Sequence, residues 1–156
     1  MHRWAFVLIT FSLLLRAGDG PLDRATLRGV KAMNVVIDRL DPDLEKAGLT
    51  QDVLQSRVEE RLRRAGILID SKALEFVGLR VSSFLARKGP DSLSLSLAFY
   101  QPVILVRDQK VRTASPTWEV ENMLMVSPKP MVQSALETAD QLVDQFVSAY
   151  QAANPR

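Results

Sequence analysis

The sequence predicts an α+β fold: a two-layer sandwich in which an antiparallel sheet of about four to five strands carries two helices on one face, in the order β-α-β-β-β-β-α. Three observations lead there. Apolar alternation of period two fills the middle of the chain, stretches of helical period flank it, and the composition is that of a packed globular domain, with 47% hydrophobic and 24% charged residues among 156. No internal repeat, low-complexity tract or second domain interrupts this pattern.

The chain begins "MHRWAFVLITFSLLLRAGDGP". A basic start, an unbroken apolar run from Trp4 to Leu15 and the small residues Ala17, Gly18 and Gly20 have the layout of an export signal. Twelve helical residues would cover roughly 18 Å, against roughly 30 Å of hydrocarbon, so a stable transmembrane span is the weaker reading. Residues 1–20 are therefore expected to be a signal peptide and 21–156 a single domain. Gly18 and Gly20 suggest cutting after Gly20, although Pro21 would then follow the broken bond. An uncleaved anchor is the alternative, and would be the one route to membrane contact.

A first strand is expected over residues 31–40, where Met33, Val35, Val36 and Ile37 precede the Asp41-Pro42 stop. The clearest helix is "GLTQDVLQSRVEERLRRAGI", with Thr50 as N-cap, Leu49 placed to staple onto Leu54, and Gly66 past its end. Leu54, Val58, Leu62 and Ala65 form its apolar face. Glu59 with Arg63 and Glu60 with Arg64 are favourable i,i+4 pairs on the solvated side.

A short strand follows at 67–70 and a longer one at 74–86, with Val77, Leu79, Val81, Ser83 and Leu85 on one face. The next strand alternates Leu93, Leu95, Leu97 and Phe99 against Ser92, Ser94, Ser96 and Ala98. Matching apolar faces pairs Leu85 with Leu95, Ser83 with Leu97 and Val81 with Phe99. A turn at Asp108-Gln109 then pairs Val106 with Val111, Phe99 with Trp118, Leu97 with Val120 and Leu93 with Leu124. Pro102 and Pro116 fall at one level, where the ladder is expected to bend or bulge. The last helix starts at Ser127 or Pro128 and stops at Asn154-Pro155, with Val132, Ala135, Leu136, Ala139, Leu142, Val143, Phe146 and Tyr150 as its apolar stripe.

Cysteine is absent, which excludes a lipid-anchoring cysteine and a disulfide framework. The single histidine is His2, inside the expected signal. The remaining domain thus has no Ser-His-acid triad, no Cys-His nucleophile and no thiolate or imidazole zinc site. A net charge of +2, with bases and acids interspersed, is too weak a field for nucleic-acid binding. Glu119 and Glu121 share one strand face and could serve hydrolysis or a hard cation, but alternation explains them as two outward residues. Asp38, Asp41, Asp43 and Glu45 lack the glycine and spacing of a calcium loop and read as a strand-ending turn. Ser115 lacks a lysine three residues on, so Ser-Pro reads as a strand irregularity.

Two features remain. Trp118 and Phe99 could line a pocket between helices and sheet, or pack together in the core. At the hairpin tip, Val103, Ile104, Val106 and Val111 put apolar residues on both faces, which marks either a covered strand or a docking surface for a protein partner.

The stretches "GLTQDVLQSRVEERLRRAGI", "SLSLAFYQPVILVRD", "TW" and "LVDQFVSAYQAANP" together resemble a group of small exported bacterial proteins of unassigned function, over most of the domain. The element order resembles, more loosely, the amino-terminal domain of TolB, a likeness of fold that says little about activity. The expected function is that of an exported, non-enzymatic domain of the periplasm or cell envelope that binds a protein partner through the tip or a sheet edge, without a cofactor. The alternatives are a small-ligand carrier with its pocket near Trp118 and a histidine-free hydrolase using Glu119 and Glu121.

Overall fold

A computed structural model describes residues 18–84, 86–127 and 129–155. The expected signal lies outside the described residues except for Gly18, Asp19 and Gly20, as do Leu85 and Pro128. The elements are α1 (Pro21–Ala25), β1 (Ala32–Ile37), α2 (Pro42–Lys46), α3 (Gln51–Arg64), β2 (Leu68–Ile69), β3 (Phe76–Phe84), β4 (Asp91–Leu105), β5 (Asp108–Val126) and α4 (Met131–Ala153). The two-layer α+β sandwich is present as expected, with five strands in the order β2-β1-β3-β4-β5. Leu54, Val58 and Leu62 of α3 and the buried stripe of α4 meet the leucine face of the sheet in one hydrophobic core.

The short helices α1 and α2 were not expected from the sequence. Each opens on a proline at its first turn, where a missing N–H costs nothing. They bring Leu27 and Leu44 into the core. The sheet is also antiparallel only from β3 onward, since β1 runs parallel to both β2 and β3. A helical crossover explains this: α3 returns the chain to the starting end of β1, so β2 must run alongside it in the same direction.

Thr50 caps α3 by accepting the Val53 N–H, and the helix closes on Gly66 at φ 82° with Ile67 N–H donating to the Leu62 carbonyl. Glu59 with Arg63 and Glu60 with Arg64 form the expected pairs. The sequence did not show that the same face is bolted to α4. Arg57 grips Asp140 at 2.8 and 2.7 Å, and Arg61 grips Asp144 at the same two distances, in two-toothed guanidinium–carboxylate contacts. The far end of α4 begins at Met131, later than expected, with Pro130 before its first turn and Pro128 disfavouring helix in the preceding residue. At its close, Asn154 accepts the Gly29 N–H at 2.7 Å and donates to the Leu27 carbonyl at 2.9 Å, while the Tyr150 hydroxyl donates to the Val30 carbonyl at 2.7 Å.

The β3–β4 register differs from expectation by four residues: Val81 faces Leu95, Ser83 faces Leu93 and Val77 faces Phe99. A slide by an even number preserves every inside–outside assignment, so face matching could not detect it. The longer loop it leaves is closed by Asp91, whose buried carboxylate accepts the Ala86 N–H at 2.8 Å.

Candidate docking site

β4 and β5 are much longer than β3. β3 ends its pairing at Phe76 opposite Tyr100, whereas β4 and β5 continue to pair with one another to Leu105 and Asp108. The outer part is therefore a two-stranded ribbon projecting from a five-stranded sheet.

Its root is defined by the expected irregularity. Phe99 faces Trp118 and Leu97 faces Val120 as the sequence predicts, but Tyr100 faces Pro116, so Thr117 is an extra, bulged residue. The bulge shifts all that follows: Pro102 faces Ala114 rather than Ser115, and Gln101 faces Ser115 rather than Pro116. A second irregularity between Ile104 and Leu105 moves the turn to Val106-Arg107, replacing the expected Val106–Val111 pair and the turn at Asp108-Gln109.

Both sides of the root are pinned. Thr117 Oγ1 donates to Gln101 Oε1 at 2.8 Å, and Gln101 Nε2 donates to Glu75 Oε1 at 3.0 Å. On the open face of the sheet, Phe76 stacks on Tyr100 with ring centroids 4.7 Å apart and nearly parallel. Gly78 makes room for that stack, since a Cβ there would lie 3.0 Å from Tyr100 Cε2.

Beyond the root, Ile104 is 52% exposed, Val111 42% and Val106 97%, while Val103 is half-buried. The tip residues expected from the sequence are thus gathered on one projection, and no helix or other strand among the described residues lies over Val106. Arg107, Lys110 and Arg112 surround them and outnumber Asp108. Beside the ribbon, Pro102 forms one wall of a groove of about 670 Å³, whose other wall includes Lys31, Asp70, Leu74 and Glu75.

Trp118 and Phe99 lie elsewhere. Both are buried, and Phe146 packs against each, edge-on to Trp118 at 5.2 Å and tilted to Phe99 at 5.7 Å. The indole N–H donates to Asp19 Oδ1 at 2.8 Å.

Glu119 and Glu121 point outward from the open face, and Glu121 accepts a hydrogen bond from Ser94 Oγ at 2.7 Å. Asp38 pairs with Arg80, Asp43 pairs with Lys46, and Asp41 accepts from Ser83 N–H and Oγ, so three of the four clustered acids tie down the end of β1 and α2. No group of three or more His, Cys, Asp or Glu among the described residues could hold a metal ion. No helix among them is long and apolar enough to cross a membrane.

One apolar surface escaped the sequence reading. Phe84, Met123 and Met125 are exposed at the end of the open face, where Phe84 faces Ser92 and Ser92 faces Met125. The signal was available in strand parity, because these residues alternate with Ser83, Leu124 and Val126.

The chain matches no protein-family profile and no curated protein. Among solved structures it is similar to a PelC dodecamer from Paraburkholderia phytofirmans, with 15% identity, 78% of this chain and 86% of that one covered, and a TM-score of 0.41. It is similar also to the rare lipoprotein B from Shewanella oneidensis, with 16% identity, coverage of 78% and 94%, and a TM-score of 0.36. A minor lipoprotein from Acinetobacter baumannii is similar at 13% identity, with coverage of 79% and 92% and a TM-score of 0.33.

Proposed function

We propose that this is an exported, non-enzymatic domain of the cell envelope that binds a protein partner through the β4–β5 ribbon. The observation that carries the reading is the ribbon's exposure: Ile104, Val106 and Val111 present apolar side chains to solvent on a projection with no covering layer among the described residues. A surface of this kind is costly to keep in water and gains most when a partner covers it. The pinned root supports the same reading, because a ribbon held at a fixed angle loses less freedom on docking. The basic rim of Arg107, Lys110 and Arg112 calls for a partner whose apolar groove is edged with acids. Export rests on the layout of residues 1–20.

The test is a double substitution, Ile104→Ser with Val106→Ser, compared with the parent sequence by photo-crosslinking in intact cells from a photo-reactive residue placed at position 110 in both. The variant is expected to keep its thermal midpoint and to lose its crosslinked product. An unchanged set of crosslinked proteins would sink the reading.

A further inference from the structure

We infer that the export signal is removed at the Ala17–Gly18 bond, so that the mature domain begins at Gly18 and retains Asp19; this rests on the export reading above. The residues on either side of the expected cut after Gly20 are built into the fold. Asp19, with its side chain only 5% exposed, accepts the indole N–H of Trp118 at 2.8 Å and both Nε and Nη2 of Arg24 at 2.7 Å. Trp118 is itself buried against Phe146. Gly18 extends the sheet edge, since its carbonyl accepts the Glu119 N–H at 3.0 Å. It also has φ 88°, and a Cβ there would come within 2.2 Å of the Glu119 carbonyl oxygen, an approach open to glycine alone. Gly20 N–H donates to Asp23 Oδ2 at 2.9 Å and so opens α1.

Cutting after Gly20 would strip the buried indole of its acceptor and α1 of its cap, and would place Pro21 directly after the broken bond. Cutting after Asp19 removes the same acceptor and needs an acidic residue where the peptidase requires a small one. Cutting after Gly18 removes the Glu119 contact and puts Arg16 at the other recognition position. Ala17 is the remaining small residue behind the apolar run, and a cut after it puts the uncharged aliphatic Leu15, rather than the cationic Arg16, at the other recognition position. The reaction is a hydrolysis by a membrane-bound signal peptidase: water adds across the bond, leaving a carboxylate on Ala17 and an ammonium on Gly18.

Intact mass and amino-terminal sequencing of the full chain expressed in a bacterial host test the inference, with Ala17→Tyr as a variant whose change lies before the mature start. A product beginning Gly-Asp-Gly-Pro is expected, and Ala17→Tyr should accumulate uncut precursor. A product beginning at Pro21, or normal processing of Ala17→Tyr, overturns the inference and leaves export standing. Uncut chain in the envelope fraction also overturns the inference alone; uncut chain in the cytoplasm overturns both.

Discussion

Replacing Asp19 by alanine removes the carboxylate that accepts the indole N–H of the buried Trp118. Trp118 Nε1 is locked between Phe146, the sheet and Asp19, and a donor left unsatisfied in such a place costs about 1–3 kcal/mol. Arg24 also loses its two contacts, but its side chain is 40% exposed and can turn to water, so its share is about 0–1 kcal/mol. The Arg24 guanidinium has its pKa raised by the hydrogen bond to Asp19, consistent with a favourable pairing that the substitution abolishes. The sum is about 2 kcal/mol, which for a domain of this size lowers the thermal midpoint by about 6–8 °C. The chain has two tryptophans, and Trp4 lies in the expected signal, so fluorescence of the processed protein reports Trp118 alone. Melting followed by tryptophan emission and by far-ultraviolet circular dichroism should show the drop together with a red shift. Asp19→Asn keeps an acceptor for the indole and should recover most of the loss. If Asp19→Ala melts within about 1 °C of the parent, as an ordinary surface change would, with unshifted emission, the link between the amino-terminal segment and the core is refuted.

Phe146→Ala should be the most damaging single truncation of the aromatic cluster: removing a ring that touches Phe99, Trp118 and Tyr150 costs about 3–5 kcal/mol and lowers the urea midpoint by about 2 M. An undiminished midpoint would mean the cluster is not packed as described. Stability should also fall in acid through two carboxylates, one paired within α3 and one bridging α4 to α3. The carboxyl of Glu59 is held below its ordinary value by hydrogen bonds from Gln55 and Arg63, and that of Asp144 by a hydrogen bond from Arg61. Depressed carboxyl pKa values stabilise the fold above the unfolded values of 4.5 and 3.8, and that contribution is lost as the pH falls through the lower folded values. Asp144 is 58% exposed, so each group contributes only about 0.2–1 kcal/mol. A Glu59→Gln, Asp144→Asn double variant should therefore show a shallower fall in thermal midpoint between pH 6 and pH 3 than the parent; parallel curves would contradict the assignment.

Much of this architecture was legible in the sequence because it is written in periodicities. Helix α3, with its Thr50 cap and Gly66 stop, and the serine–leucine alternation of β4 each have one physically consistent reading. The Phe99–Trp118 pairing was legible for the same reason, since apolar faces had to meet. What parity cannot supply is translation: the four-residue slide between β3 and β4 leaves every residue on its expected face. Nor does parity give strand direction, which for β1 depends on the α3 crossover. The candidate site was half legible. Its apolar residues stood out, but the bulge at Thr117, which shifts the register of the ribbon, is held by a polar clamp through Gln101 and Glu75 from a third segment, and the second irregularity at Ile104–Leu105, which sets the turn at Val106-Arg107, leaves no mark in the alternation. The contacts of Asp19 were not legible, because its partners Trp118 and Arg24 are brought to it only when the chain is folded.

The contacts of Asn154 bear on the order in which the domain is made. Leu27 and Gly29 emerge early in synthesis, yet they are fastened by a side chain 127 and 125 residues later. Tyr150 closes onto Val30 across a separation of 120. Contacts of such long separation are slow to form, because the whole intervening loop must first be ordered. Gly18 and Asp19 can meet Glu119 and Trp118 before α4 is made, but the stretch from Leu27 to Val30 receives its last fastenings only when the end of α4 is complete.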